Sequence, residues 1–421
     1  MFLLPYNIFL FFYQVGARIS SLWNPKAKKW LRGRKNLFKN LESAAIDLRG
    51  HTVIWFHCAS LGEFEQGRPV MEQIRRHHPG TKIVVTFFSP SGYDIKKKFA
   101  GADLVCYLPF DSKRNAKRFM ELIDPSLVIF VKYDLWYHIL REVRHRNKHA
   151  LLISAVFREG QSFFRWYGGF QRQMLRCFSR IFVQDETSLA LLKHAGFHNA
   201  SVSGDTRFDT VLQTAERFEA VPLVDNFCRD ATVIVAGSTW AEDEQLIASA
   251  FESLAPAHGA LRLIIAPHEI NERHLRGIEQ LFPDTTRYSR CSEAERITVR
   301  VLLIDNVGLL SRLYRYATIC YVGGGFSKDG VHNVLEAAVY AKPVVFGSNY
   351  RKYREAAGLI AEGGGFAIHD EQDLTAKVKE LLNDEGLINE SGRKSEAYVR
   401  SNAGATGRIM AYIEENRLLT N

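Results

Sequence analysis

Several common chemistries need residue spacings that this 421-residue chain does not have. Its six cysteines, at 58, 106, 177, 228, 291 and 320, are scattered. No pair has the C-x-x-C or zinc-ligand spacing. They read as small core residues of a reducing compartment. His194, His268 and His332 have no zinc-like spacing either. There is no G-x-S-x-G and no H-E-x-x-H, which excludes a nucleophile elbow and a zincin site. The glycine run at 323–325 is not followed by Gly-Lys-Ser/Thr, so it is no P-loop. No Asp-x-Asp occurs, so the usual divalent-metal site of many sugar-nucleotide enzymes is missing. The reading is therefore of no bound metal and no cofactor. Internal repeats and low-complexity segments are also absent.

Charge is missing in two places. Residues 1–17, "MFLLPYNIFLFFYQVGA", carry no charged side chain. Residues 24–40, "NPKAKKWLRGRKNLFKN", contain no acid but hold Lys26, Lys28, Lys29, Arg32, Arg34, Lys35 and Lys39. Those seven account for most of the formal net charge of +9, so the body is close to neutral and nucleic acid is excluded as a partner. The apolar run has no basic n-region and no small-residue cleavage site, which excludes a secretory signal. It falls slightly short of the roughly 20 residues that span a bilayer. Residues 1–22 thus read as a membrane anchor, either a short span or an interfacial helix, with the basic run at anionic head groups on the cytoplasmic side. A plainer account is a buried N-terminal helix beside a solvated basic stretch. Because the first strand begins only near residue 52, residues 1–20 read as separable from the fold.

From residue 50 on, short apolar runs alternate with helical patterns. The spacing predicts strands at 52–58, 82–88, 104–108, 127–132, 150–156, 180–184 and 200–203. Helices are predicted at 65–78, 112–123, 136–146 and 186–196. The pattern restarts near residue 231, with strands at 232–237, 262–266, 301–304, 318–322 and 343–347. Helices follow at 241–256, 271–282, 332–340, 350–362 and 371–383. Continuous apolar strands alternating with helices imply parallel sheets covered on both faces. The expectation is an α/β chain of two Rossmann-like domains facing a cleft, 23–215 and 216–421, with the last helix free to pack back on the first domain.

Ligands in such sheets bind at the carboxyl ends of the strands, and the polar residues of interest fall there. "HCASLGEFEQG", 57–67, puts Glu63 and Glu65 just past the first strand. Ser60 and Glu63 have the capping-box spacing, so Glu63 can also be read as a helix cap. "FVKYDLWYH", 130–138, places Lys132 and Asp134 at a strand end, and "SGDTRFD", 203–209, supplies Arg207, a candidate for phosphate or carboxylate. Surface ion pairs would explain both equally well. In the second half, "AGSTWAEDE" and "APHEIN" bring Ser238, Thr239, Pro267 and His268 to one rim, and "DNVGLLSRLY" adds Gly308. The stretch "YVGGGFSKDGVHNVLEAA" ends a strand in three glycines, which let backbone approach a ligand closely, and starts a helix near His332. Asn333 and Glu336 lie one turn apart, placed to take ribose hydroxyls. The plainer account is a glycine turn and an exposed helix face.

These motifs, "ASLGEFEQG", "VKYDLWYH", "SGDTRFD", "GSTWAEDE", "APHE" and "GGGFSKDGVHNVLEAA", stand in the order seen in the Kdo (3-deoxy-manno-octulosonate) transferases, which the chain resembles from its N-terminus to about residue 360. The resemblance implies a GT-B fold, a CMP-Kdo donor, a lipid IVA acceptor and attachment to inner-membrane lipids on the cytoplasmic side. It implies Glu63 as the catalytic base. It implies that Pro267, His268, Val307, Gly308, Leu309, Asn333, Val334, Leu335 and Glu336 hold CMP. Arg207 stands where many members have Lys. Asp134 stands where Glu is usual, and Lys132, Tyr133 and Tyr137 depart from the common Glu-Thr-Glu-Leu-Trp-Pro run. Glu63 as base, with Asp134, Arg207 and Lys132 around it, and a departing CMP whose charge is met by Arg207 and helix N-termini, is the chemistry expected. Another GT-B glycosyltransferase or a sugar-nucleotide epimerase would share the pattern. So would a non-catalytic, membrane-associated nucleotide-binding scaffold.

Overall fold

Strands covered on both faces read as unbroken apolar runs, and both sheets of this protein are built from such runs. The computed structural model describes residues 3–292 and 297–419. It divides into two units, one holding the chain up to Asp209 together with Gly404 onward, the other Thr210–Ala403.

The first unit carries β1 (Val53–Cys58), β2 (Lys82–Phe87), β3 (Leu104–Tyr107), β4 (Leu127–Val131), β5 (His149–Ala155), β6 (Arg180–Val183) and β7 (Ala200–Val202). All pair in parallel, in the order β3-β2-β1-β4-β5-β6-β7. Strand order reverses between β1 and β4, and crevices of such sheets open at that point. Every residue of β1 is buried. One face packs Trp55 on Phe119 and Phe130, and the other packs Phe56 with Phe64, Ile74 and Met410. The last of these comes from the C-terminal helix Ala405–Glu415. Asp209 draws that helix in by accepting from the Gly404 and Thr406 amides at 2.5 and 2.6 Å.

The second unit carries β8 (Thr232–Thr239), β9 (Leu261–Pro267), β10 (Thr285–Arg287), β11 (Val301–Leu303), β12 (Ile319–Val322), β13 (Val344–Gly347) and β14 (Gly365–Ile368). Their order is β10-β11-β9-β8-β12-β13-β14, all parallel, with the reversal between β8 and β12. The edge strands β10 and β14 escape the sequence pattern, being three and four residues long and only partly buried. The helix expected over 332–340 is confined to Leu335–Ala338, and that over 350–362 begins at Arg354. Between β7 and β8 the chain forms the helix Thr206–Glu216 and the helix Pro222–Cys228.

Three helices open the first unit, α1 (Leu3–Ser20), α2 (Pro25–Arg32) and α3 (Leu37–Ala44), and α4 (Leu61–His77) follows β1. No helix among the described residues is long and apolar enough to cross a membrane. Of the two forms expected of the anchor, this weighs against the span. Asn7, Gln14 and Arg18 interrupt the apolar run, and one side of α1 is docked. Tyr6 donates its hydroxyl to Asp111 Oδ2 at 2.6 Å and accepts from the Tyr137 amide at 3.2 Å. Asn7 Oδ1 meets His138 Nε2 at 2.7 Å, and Leu10 is buried. The opposite side stays open, with Phe9, Phe11 and Phe12 60, 62 and 65% exposed.

Candidate active site

In the first unit the candidate residues gather at the β1–β4 reversal. α4 starts at Leu61, four residues ahead of the expected start, so Glu63 lies in its first turn. Ser60 makes no side-chain capping bond to the helix. Its hydroxyl donates instead to a Glu63 carboxylate oxygen, and Lys132 Nζ stands 3.6 Å from the other. Lys132 follows β4 with φ +60, a left-handed conformation unusual for lysine, and its amide bonds Ile153 at 2.9 Å. Glu65 is held away from this pair by Arg68 and Lys96, each at 2.8 Å.

Asp134 is engaged by two neighbouring side chains. Its Oδ2 faces His57 Nε2 at 2.9 Å and accepts from Trp136 Nε1 at 3.0 Å. His57 is fully buried on β1, and its Nδ1 meets Thr86 Oγ1 at 2.9 Å, which also accepts from Trp55 Nε1 at 2.8 Å. Asp134 thus ties the loop after β4 to β1 and β2. Arg207 directs Nε and one terminal nitrogen at Asp205 Oδ2, at 2.9 and 2.7 Å. Asp205 also receives Gln66 Nε2 at 3.3 Å, and Thr206 Oγ1 donates to the Gln66 carbonyl at 2.6 Å. Gln66 is one turn beyond Glu63, so the Arg207 segment is fastened to the helix that carries Glu63.

In the second unit the glycine run lies at the β8–β12 reversal, but it serves the chain's own backbone. A Cβ on Gly323 would stand 2.4 Å from the Ser238 carbonyl oxygen, and one on Gly325 2.4 Å from the Gly347 nitrogen. Gly324 has φ +88. These glycines let the strand ends pack tightly. Asp243, buried, fixes the loop by accepting from the Gly324 amide at 2.9 Å, Tyr321 at 2.7 Å and the Trp240 amide at 3.0 Å. Burial pushes its carboxyl up, against the pull of these bonds.

Around that loop three rings stack. His268, just past β9, lies 4.8 Å from Trp240 and 4.4 Å from His332, centroid to centroid. Trp240 Nε1 donates to His332 Nε2 at 2.9 Å, which requires that nitrogen unprotonated. Burial, and His268 beside it, hold His332 down to about 4. Asn333 donates to Glu336 Oε1 at 2.9 Å. Val334 and Leu335 are fully buried, so only their backbone can serve a ligand. Gly308 has φ +99, with Val307 before it 90% exposed and Leu309 after it buried. Pro267 closes β9 against Thr239 of β8. Sequence reasoning missed His57, Trp240 and Asp243 as site builders. Asp243 stood within a quoted motif, three residues after Trp240, at helix-cap spacing. No cluster of three metal-ligating side chains occurs among the described residues.

Residues 30–210 match the family model of the 3-deoxy-D-manno-octulosonic-acid transferases (Kdo transferases), a span that contains Glu63, Lys132, Asp134 and Arg207. A 3-deoxy-D-manno-octulosonic acid transferase of Aquifex aeolicus is 27% identical over 334 residues, 78% of this chain and 86% of its own. One of Haemophilus influenzae is 26% identical over 381 residues, 86% and 88% of the two chains. Among solved structures, the UDP-GlcNAc 2-epimerase of Neisseria meningitidis bound to UDP-GlcNAc has a TM-score of 0.62 at 16% identity, over 86% of this chain and 100% of that one. A glycosyltransferase of Rickettsia africae has a TM-score of 0.56 at 13% identity, over 88% and 100%. The fold is that of two parallel-sheet α/β domains of the GT-B kind.

Proposed function

We propose that this glycosyltransferase, similar to Kdo transferases over most of its length, transfers Kdo from CMP-Kdo to lipid IVA in lipopolysaccharide synthesis. The observation that carries the reading is Glu63. It sits past β1 at the strand-order reversal, one oxygen taken by Ser60 and the other facing Lys132. A sugar hydroxyl attacks poorly until a base removes its proton, and a carboxylate fixed at a strand end is built for that step. Lys132 supplies positive charge beside Glu63, and Arg207 answers the charge of the departing CMP. Asp134 positions the loop that carries Lys132. In the second unit, Pro267, His268, the Val307–Leu309 turn and Asn333 to Glu336 take the cytidine monophosphate. CMP is a good leaving group, so the step needs no metal.

The protein works at the cytoplasmic side of the inner membrane, with the open face of α1 lying among head groups. The test is to incubate the full chain with CMP-Kdo and lipid IVA in the presence of EDTA and to follow Kdo-lipid by mass spectrometry. Transfer is expected. Conversion of the sugar nucleotide without acceptor would identify an epimerase instead, and CMP-Kdo binding without turnover a scaffold.

A further inference from the structure

A groove of about 480 Å³ runs between α1 and α2 in the first unit. That is within the roughly 300–1,000 Å³ of small-molecule sites. Gly16, Ala17 and Ser20 of α1 and Ala27 of α2 keep it wide. Gly16 is the telling residue. Glycine inside a helix is destabilising relative to alanine, and is usually excused by a close neighbour. Here an added Cβ would meet nothing within 4 Å. Gly16 therefore faces open space on the groove side of α1, into which a larger side chain can be built.

The floor of that space is aromatic. Trp30 packs edge-on against Tyr13 and Phe88, at 5.6 and 5.4 Å between centroids. One end runs into the open face of α1, where Phe9 approaches Tyr13 at 6.1 Å. Lys26 lines the rim and Lys28 follows on α2, while Lys29 is paired with Asp94 at 2.9 Å. An apolar trough that begins at an exposed apolar face and has a cationic rim suits a phosphorylated amphiphile.

We infer that this groove holds an acyl chain of the phosphorylated lipid acceptor while Lys26 and its neighbours meet the phosphate, so that α1 and α2 select an acylated acceptor. The inference rests on the acceptor proposed above. The experiment is steady-state kinetics of the full-length Gly16→Trp variant against lipid IVA, against the same acceptor stripped of its acyl chains, and against CMP-Kdo. The indole fills open space, so the fold is retained and the KM for CMP-Kdo reports that it is. The KM for lipid IVA is expected to rise roughly tenfold, about the burial lost by two methylenes. The KM for the deacylated acceptor is expected to stay unchanged. An unchanged KM for lipid IVA overturns the groove assignment, and so does an equal rise for the deacylated acceptor. If Gly16→Trp instead weakens retention on phospholipid vesicles and alters neither acceptor KM, the occupant is a bilayer lipid and the inference fails. A wild-type chain that transfers no Kdo at all overturns the underlying function, a result distinguishable from each of these.

Discussion

At Glu63 the choice between helix cap and base turns on where one hydroxyl points. A capping box needs the Ser60 oxygen on a helix amide, and that bond is absent; the hydroxyl goes to Glu63 itself. Glu63→Gln is therefore expected to leave the melting temperature near that of the parent and to cut turnover by roughly 10²–10⁴, the usual worth of a general base. Glu65→Gln removes only ion pairs to Arg68 and Lys96 and should change turnover far less. Parental turnover in Glu63→Gln would move the base elsewhere. His332 allows a prediction of another kind. Its folded value of about 4 lies below the ordinary histidine value of 6.5. Between those two values the unfolded chain binds a proton that the folded chain refuses, so stability is present above about pH 6.5 and is lost as pH falls toward about 4. Protonation would also break the bond from Trp240. His332→Gln, which keeps an acceptor, should melt with a weaker dependence on pH across that window. Equal pH dependence in both proteins would show that His332 is charged in the fold.

At the scale of elements, α1 shows what the sequence can and cannot disclose. Its apolar, uncharged character is legible, and so is the basic run after it. Its docking is not, because Asp111 and His138, the partners of Tyr6 and Asn7, lie 105 and 131 residues away. The expectation that residues 1–20 are separable is therefore replaced. Deleting them would strip a buried carboxylate of its hydroxyl donor. Tyr6→Phe is expected to cost about 1.5–3 kcal/mol in urea unfolding, the worth of one hydrogen bond to a charged group, since Asp111 keeps the His138 and Ile139 amides as donors. An unchanged unfolding midpoint would show that water substitutes for Tyr6. The central strands were readable for the opposite reason: being buried on both faces, β1, β4, β8 and β9 announce themselves as apolar runs. Edge strands β10 and β14 have no such signature. The carboxylates at strand ends were legible as candidates from position alone. The bond that separates Glu63 from a cap, the tether of Asp134 to His57 and the reason for three glycines depend on neighbours brought in from other strands.

On the scale of the molecule, charge and apolar exposure are both lopsided. Most of the net +9 falls in residues 24–40, directly after a helix with bare phenylalanines. A second apolar projection, Trp166 and Tyr167, is 91 and 51% exposed. Phe170 nearby packs on Tyr6 of α1 at 5.1 Å and on Tyr137 at 4.9 Å, so this segment adjoins the docked side of α1. On the proposed function, two forces of different range would hold the protein at a bilayer. Each Lys or Arg near anionic lipid contributes about 1 kcal/mol. That attraction fades as the Debye length shrinks from about 10 Å at 0.1 M salt to about 3 Å at 1 M. Burying a phenylalanine contributes about 1.5–3 kcal/mol and is not screened. Flotation with vesicles containing phosphatidylserine should therefore show tight binding at low salt and weaker but persistent binding at high salt. A Phe9→Ser, Phe12→Ser, Trp166→Ser variant touches only exposed positions, so it should fold normally. It should still float at low salt and be released at high salt. Complete release of the parent protein by salt alone would show that the aromatic face stays in water. Retention of the triple variant at high salt would place the apolar contact on some other surface of the chain.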